Sequence, residues 1–521
     1  MMWARRMLWG FGYTRCLLLL CFLSSCWLLV GAAEAQVTAP ELGHSLFRSA
    51  KTVVELDAGL WRNVHRSAHK CPWSVMFYND GCGHCRAVAP RYVSFSTRLE
   101  ECHEEDPLRM VTAAALNCAT EVETCRAYGI DAVPMFMLFL PANCTAGTNV
   151  TCTNDDMRRF LLGSGDSVLS ELRMETRRLI KQTMHFDGAA MERCADMRYT
   201  LYKIKDQRIH PGHTSSDTFV ETRKLYPTDI AGAFFYTLLH EVALMGFDPP
   251  ERLRALKDFL LIVEHALPGL EAGAVLDAVR SMEVGGAFSV ARWQKAVIAA
   301  NIPFEGKPRE VQWRTCKGSS VEYRGFPCAM WLLFHSLTVN AEVKTLETIR
   351  NYVRFFFTCE DCRRHFLQLN FEPDGDSVMQ LWRAHNSVNA RLAEVKGAAD
   401  PFVPKRQFPD SAMCSSCLKP GGAFDEAEVS KYLQKRYEWD PDALQREEVG
   451  PTNPSGLAPV NAPTGNSKAP GGAEGTTQQN PMPFHVFLTG FTIVGIVSAG
   501  ILRVRGKYIT PYGTHRRRSR V

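Results

Sequence analysis

Four cysteines in two close pairs carry the chemistry this chain can do. Cys82-Gly83-His84-Cys85 spaces two sulfurs so that one exchanges with another thiol and the other resolves the product. Val75-Met76-Phe77-Tyr78 reads as a strand just before it, and a helix opens near Cys82. At a helix N-terminus, free backbone amides and the dipole favour a thiolate, and His84 adds positive character. Cys82 is then the exchanging sulfur and Cys85 the resolving one, in a pair that oxidises other thiols well. A zinc half-site and an inert structural disulfide are the alternatives. The second pair, Cys359-Glu360-Asp361-Cys362, lies between Phe355-Phe356-Phe357 and Arg363-Arg364-His365-Phe366. Its i, i+3 spacing shares a helix face and closes a disulfide at a helix start.

Two polar stripes flank the second pair. Cys328, Trp331 and His335 fall at i, i+3 and i+7, while Trp382, His385, Asn386 and Asn389 fall at i, i+3, i+4 and i+7. A core stripe would be Leu and Val. Trp, His and Asn suit a planar aromatic ligand with polar edges, although spacing alone equally allows buried, hydrogen-bonded side chains.

The elements that must position these groups fall into blocks. From about 40 to 165, short apolar strands (Val75–Tyr78, Val111–Leu116, Met135–Leu140) alternate with helical stretches, which is α/β order. Val133-Pro134 precedes the third strand, where the fold discussed below keeps a cis-proline; an ordinary trans turn is the alternative. From about 170 to 420 the apolar spacing is three and four, so helical bundles are expected, with Asp248-Pro249-Pro250-Glu251 starting one helix and Pro268-Gly269 stopping it. No motif marks the stretch between Cys194 and Cys316, which reads as a spacer with its own core. About 440 to 482 is rich in Pro, Gly, Asn, Thr and Gln, the composition of a flexible stalk.

At 521 residues, several domains are expected. The net charge of +5 is small and concentrated near the chain end (Arg503, Arg505, Lys507, Arg516, Arg517, Arg518, Arg520), so no nucleic-acid partner is expected. Arg5 and Arg6, the apolar run Leu17–Val30 and Ala33-Glu34-Ala35 read as a secretory signal cleaved before Gln36, an uncleaved anchor being the alternative. Phe484–Leu502 is about long enough to cross a bilayer, and the basic residues after it put the tail in the cytoplasm. Of eighteen cysteines, Cys16, Cys21 and Cys26 leave with the signal. The remaining number is odd in an oxidising compartment, so one thiol is left over, and isolated Cys194 is the candidate. Cys118 with Cys125 and Cys144 with Cys152 are spaced for local disulfides, with Cys71–Cys102 a leftover pairing. Asn143 and Asn149 open glycosylation sequons.

Residues 40–165 resemble the protein disulfide isomerase branch of the thioredoxin superfamily, except that Gly81 stands where those domains usually carry tryptophan. Arg324-Gly325-Phe326-Pro327-Cys328-Ala329-Met330-Trp331-Leu332-Leu333-Phe334-His335, the Cys359–Cys362 pair with His365, His385-Asn386-Ser387-Val388-Asn389 and Cys414-Ser415-Ser416-Cys417 resemble the flavin domain of the Erv and ALR sulfhydryl oxidases. Together the two parts resemble a quiescin sulfhydryl oxidase, the single-thioredoxin form.

The resemblance implies a multidomain α/β plus all-α chain. Its parts would be a signal peptide (1–35), a thioredoxin-like domain (36–168), a helical spacer (169–310) that is a degenerate relative of the flavin domain, an Erv-like FAD-binding four-helix bundle (311–420), a tail and stalk (421–482), one transmembrane helix (483–502) and a short basic tail (503–521). It implies FAD held by Arg324, Trp331, His335, Asp361, His365, Trp382, His385, Asn386, Asn389 and Lys405, with Phe408 where the family often has tryptophan. Cys316–Cys328 and Cys414–Cys417 would be structural disulfides; a zinc site on Cys359, Cys362, Cys414 and Cys417 fits poorly. Catalysis would pass from Cys82 and Cys85 to Cys359 and Cys362, then to oxygen, across a joint near 165–220. The expected partners are reduced protein dithiols, oxygen and a secretory-pathway membrane, for a monomer. A disulfide isomerase without an oxygen step, and a tethered adhesion protein with inert disulfides, are the competing readings.

Overall fold

Trp73 to Tyr78 leaves no side chain exposed and Met135 to Leu140 behaves alike, so both must be central strands covered on two faces. A computed structural model describes residues 45–444 except 62–70, 142–157, 165, 184–185, 209–218, 220, 309, 342–344, 396 and 398. In it, β1 (Val54–Leu56), β2 (Trp73–Tyr78), β3 (Thr112–Asn117), β4 (Met135–Leu140) and β5 (Arg158–Ser164) form one sheet in the order β1-β3-β2-β4-β5. β3 runs parallel to β1 and β2, whereas β4 is antiparallel to β2 and β5. Helix α1 (Gly83–Glu100) follows β2 directly, and α2 (Val122–Ala127) follows β3. Burying each Val, Leu or Phe of these strands stabilises the sheet by about 1.5–3 kcal/mol. The sequence-level strands and the helix opening at Cys82 are all present, and Val133–Pro134 is cis.

Helices α3 (Asp166–Thr183) and α4 (Gly188–Arg208) belong physically to this α/β layer. The buried Arg198 guanidinium donates to the carbonyls of Arg109 (2.7 Å) and Val111 (3.0 Å) and pairs with Glu100 at 2.7 Å. Within the joint expected near 165–220, Asp166–Thr183 and Gly188–Arg208 are helices. Two cysteine expectations, a free Cys194 and a Cys71–Cys102 pair, are corrected here. Cys194, expected free, bonds to Cys71 with a Cα–Cα distance of 5.5 Å, because α4 folds back along β1; Cys102 is the thiol left over. Cys118–Cys125, Cys316–Cys328, Cys359–Cys362 and Cys414–Cys417 are disulfides, so the last four cysteines form two separate bonds rather than a zinc cluster.

The rest is helical apart from a short antiparallel pair, Gly306–Lys307 with Glu310–Val311. α5 (Pro227–Tyr236) is buried on every side and continues through a π-helical segment, Thr237–Val242. α6 (Pro250–Ala266), α7 (Ala272–Val284) and α8 (Val290–Ala299) complete the spacer. α9 (Gly325–Asn340), α10 (Thr345–Phe356), α11 (Glu360–Leu367), α12 (Ser377–Ala393) and α13 (Glu426–Tyr437) follow. Phe259 of the spacer stacks on Tyr352 of α10 at 4.6 Å, so the two helical groups share a core. Among the described residues no helix is long and apolar enough to cross a membrane. The signal, both sequons, Cys144–Cys152, the stalk and the apolar run Phe484–Leu502 lie outside them.

Candidate active site

Cys82 caps the N-terminus of α1, and its Sγ accepts from the Cys85 amide at 3.2 Å. Both are thiols and both are buried. Burial is the first cause that pushes the Cys85 thiol well above its ordinary value, followed by its contact with Cys82, so Cys85 keeps its proton while Cys82 is the sulfur at the helix end. Cys359 holds the N-cap position of α11 without a side-chain cap bond, and is bonded to Cys362.

The α/β layer meets the entry to the second cap at Val133. The Val133 amide donates to the Thr358 carbonyl (2.8 Å), and the Glu360 amide donates to the Val133 carbonyl (3.2 Å), so the residue before the cis-proline pairs like a strand with the entry to Cys359. Arg86, one residue after Cys85, donates to the Glu322 carbonyl.

A cavity of about 830 Å³ opens at this junction, within the range of about 300–1,000 Å³ that holds small-molecule ligands. Gly83, His84, Arg86 and Pro134 form one side and Cys362 lies on its wall, whereas Cys359 does not. Of the ten residues expected around a cofactor, Arg324, Trp331, Asp361, His365, His385, Asn389 and Lys405 line it. The Trp331 and His385 rings stack at 4.0 Å with 2° between planes. His365 Nδ1 meets the Asp361 carbonyl at 2.7 Å, which orients the ring along α11.

The other three stand behind the wall. Trp382 Nε1 donates to the Phe408 carbonyl (2.6 Å), which also accepts from Asn386 Nδ2 (2.8 Å), and the Phe408 amide returns a bond to Asn386 Oδ1 (2.7 Å). These two side chains therefore pin the loop that carries Lys405 and Phe408. His335 is fully buried, lies 3.1 Å from His385 Nδ1 through its Nε2, and stacks on Tyr437 at 4.8 Å. Burial, with Arg436 nearby, pushes His335 down to about 3, and burial pushes His385 well below its ordinary value, so both imidazoles are neutral at pH 7.

Cations also line the cavity, among carboxylates such as Glu221 and Asp400. Arg324 pairs with Glu221 at 3.6 Å, and Arg406 and Arg391 add charge. Burial, then the charges of Arg324 and Arg86, hold Lys405 down at about 8, so it remains a cation at neutral pH. Flat aromatic surface, the neutral His385 imidazole, an amide and partly exposed cations are a donor set that fits a flavin dinucleotide: rings for the isoalloxazine and adenine, cations for the diphosphate. Arg86 and Arg406 were not legible beforehand. Only the adjacency of Arg86 to Cys85 hinted at it.

Residues 53–162 match the Thioredoxin family, 226–314 the quiescin sulphydryl oxidase pseudo-Erv domain, and 328–409 the Erv1 / Alr family. Sulfhydryl oxidase 1 of Cavia porcellus is 35% identical over 231 residues, 38% of this chain and 36% of that protein. Sulfhydryl oxidase 2 of Mus musculus is 28% identical over 312 residues, 47% of this chain and 42% of that protein. The chain thus spans less than half the length of these relatives. A sulfhydryl oxidase fragment of human QSOX1 is 31% identical, covering 42% of this chain and 98% of the fragment, with a TM-score of 0.36. With a thioredoxin match, a pseudo-Erv match specific to one family and an Erv1 / Alr match following in that order, the chain belongs to the quiescin sulfhydryl oxidases.

Proposed function

We propose that the chain is an FAD-dependent sulfhydryl oxidase that converts two protein thiols and oxygen to a disulfide and hydrogen peroxide. One observation supports the reading: Val133, beside the cis-proline, pairs with Cys359, and Gly83, His84 and Arg86 of the Cys82 helix line the same cavity as Cys362.

A substrate thiolate attacks Cys82 of the Cys82–Cys85 disulfide and expels the Cys85 thiolate. The second substrate thiolate then attacks the mixed disulfide, leaves as oxidised product, and frees Cys82. In the docked arrangement the Cys82 thiolate attacks Cys359 and expels Cys362; Cys85 next attacks Cys82 and releases Cys359. Two electrons have moved to the second pair. FAD, when bound, accepts such a pair from a dithiol and delivers it to oxygen. Arg324, Lys405, Trp331, His365, His385, Asn389 and Asp361 would hold it. Trp382, Asn386 and His335 would support that wall.

The remaining assignments follow the sequence: a thioredoxin-like domain over 36–168 extended by α3 and α4, a spacer to 310, the flavin domain to 420, and a stalk with one membrane anchor at 483–502, in a monomer of the secretory pathway. The full chain loaded with FAD is expected to be yellow and to consume oxygen with a reduced protein. A colourless chain that takes up no oxygen would refute the reading. FAD affinity carries a pH signature: the Lys405 cation is present below about 8 and lost above it, and a nearby diphosphate raises that value. Affinity measured by flavin fluorescence should hold from pH 6 to about 8 and weaken beyond it, whereas a flat profile to pH 10 would contradict the role of Lys405.

A further inference from the structure

The end of β2 reaches out of the α/β layer into the helical part. Asn79 Nδ2 donates to Glu241 Oε1 at 3.2 Å, and its Oδ1 accepts from the Tyr236 hydroxyl at 2.8 Å. Tyr236 also reaches Asp80 Oδ1 at 3.2 Å. On its other side Glu241 accepts from the Thr358 amide (2.6 Å, Oε2) and the Thr358 hydroxyl (3.0 Å, Oε1). One spacer carboxyl therefore touches the residue three before Cys82 and the residue immediately before Cys359.

Glu241 is 2% exposed and sits in the π-helical turn Thr237–Val242, a local widening that helices show most often at functional positions. Burial pushes its carboxyl up to about 7, against the opposing Thr358 bonds and the charge of Arg363. A buried carboxyl is a poor means of adding stability, since apolar side chains of equal volume often do as well, and in some proteins a buried polar group instead fixes one register. Gly81 belongs to the same contact. A Cβ there would stand 3.0 Å from Tyr236 Oη and 3.5 Å from Phe326 Cβ, so the tryptophan of the resembled domains has no room at this docked face.

We propose that Glu241 is a positioning residue for the relay: by holding Asn79 and Thr358 at once, it sets the register in which Cys82 meets Cys359. The inference rests on the relay proposed above. Asn79, Glu241 and Thr358 are not among the residues that line the cavity.

Glu241→Gln keeps the shape but replaces one acceptor oxygen by a donor, leaving either Asn79 or Thr358 facing another N–H. In the FAD-loaded full chain, kcat with a reduced protein should fall about tenfold with KM within twofold, the size expected for one unsatisfied buried donor. Placed in a Cys82→Ser background, where dithiothreitol must reduce Cys359–Cys362 directly, the same substitution should change turnover by less than twofold. A readout without turnover is the rate at which Cys82 and Cys359 bond in a Cys85→Ser, Cys362→Ser chain given diamide as the two-electron oxidant; Glu241→Gln should slow it about tenfold. Tyr236→Phe, which removes a hydroxyl on the same clamp, should act in the same direction and guards against misfolding of the first variant. No change in either variant, or equal losses on the protein and direct routes, would overturn the positioning role. If Cys82→Ser itself left protein oxidation intact, the relay would fall and this inference with it; loss in Cys82→Ser without loss in Glu241→Gln would remove the clamp alone.

Discussion

The Cys359→Ser chain is expected to keep its flavin absorbance and to lose turnover with every thiol by at least about 10³-fold. Cys359 is 4% exposed, sits at the N-cap of α11 and lies off the cavity wall. Serine fits that position and caps a helix well, so the cavity should survive the exchange. What vanishes is the disulfide itself: Cys362 has no sulfur to leave from, and no electron pair can enter beside the cofactor. Loss of colour together with activity would mean that Cys359 holds the site rather than serves it. Turnover within tenfold of the parent would mean that electrons enter elsewhere.

Cys82→Ser is expected to cut turnover with a reduced protein by about 10²-fold or more, and turnover with dithiothreitol by a smaller factor. The difference comes from reach. In the docked arrangement the Thr358-Cys359-Glu360 segment is covered by Val133, so a folded client has no approach to Cys359 except through Cys82. A small dithiol needs far less room. Initial rates of oxygen uptake with both substrates check this, and equal losses would argue that Cys82 supports the fold rather than selects the client.

Much of the site was legible because its residues are chemically unusual for where they stand. Two Cys-x-x-Cys pairs at helix starts, and Trp and His on helix stripes, announce themselves against a background of Leu and Val. Helical spacing singled out stripes of α9 and α12 from which Trp331, His385 and Asn389 line the cavity, but it could not tell a side chain that lines the cavity from one that braces a loop behind it. Trp382 and Asn386 lie on the stripe as expected and bond to Phe408 instead, because the 400–410 loop lies between them and the cavity. His335 is screened by His385.

The parts that stayed hidden depend on long-range folding. Cys194 looked isolated because its partner lies 123 residues away, brought near only when α4 folds back. Glu241 and Tyr236 sit in a stretch with no motif, and their meaning arises from contacts 162 and 157 residues away at Asn79. Gly81 was visible as a departure from the resembled family, yet its reason, the close approach of Tyr236, required the docked helices.

The central claim is that Cys82 hands electrons to Cys359 by direct sulfur exchange. The full chain carrying Cys85→Ser and Cys362→Ser, treated with diamide and digested without reduction, should yield a peptide pair joined through residues 82 and 359 in the mass spectrum. Repeated absence of that bond, with both thiols shown to be reactive, would contradict the relay.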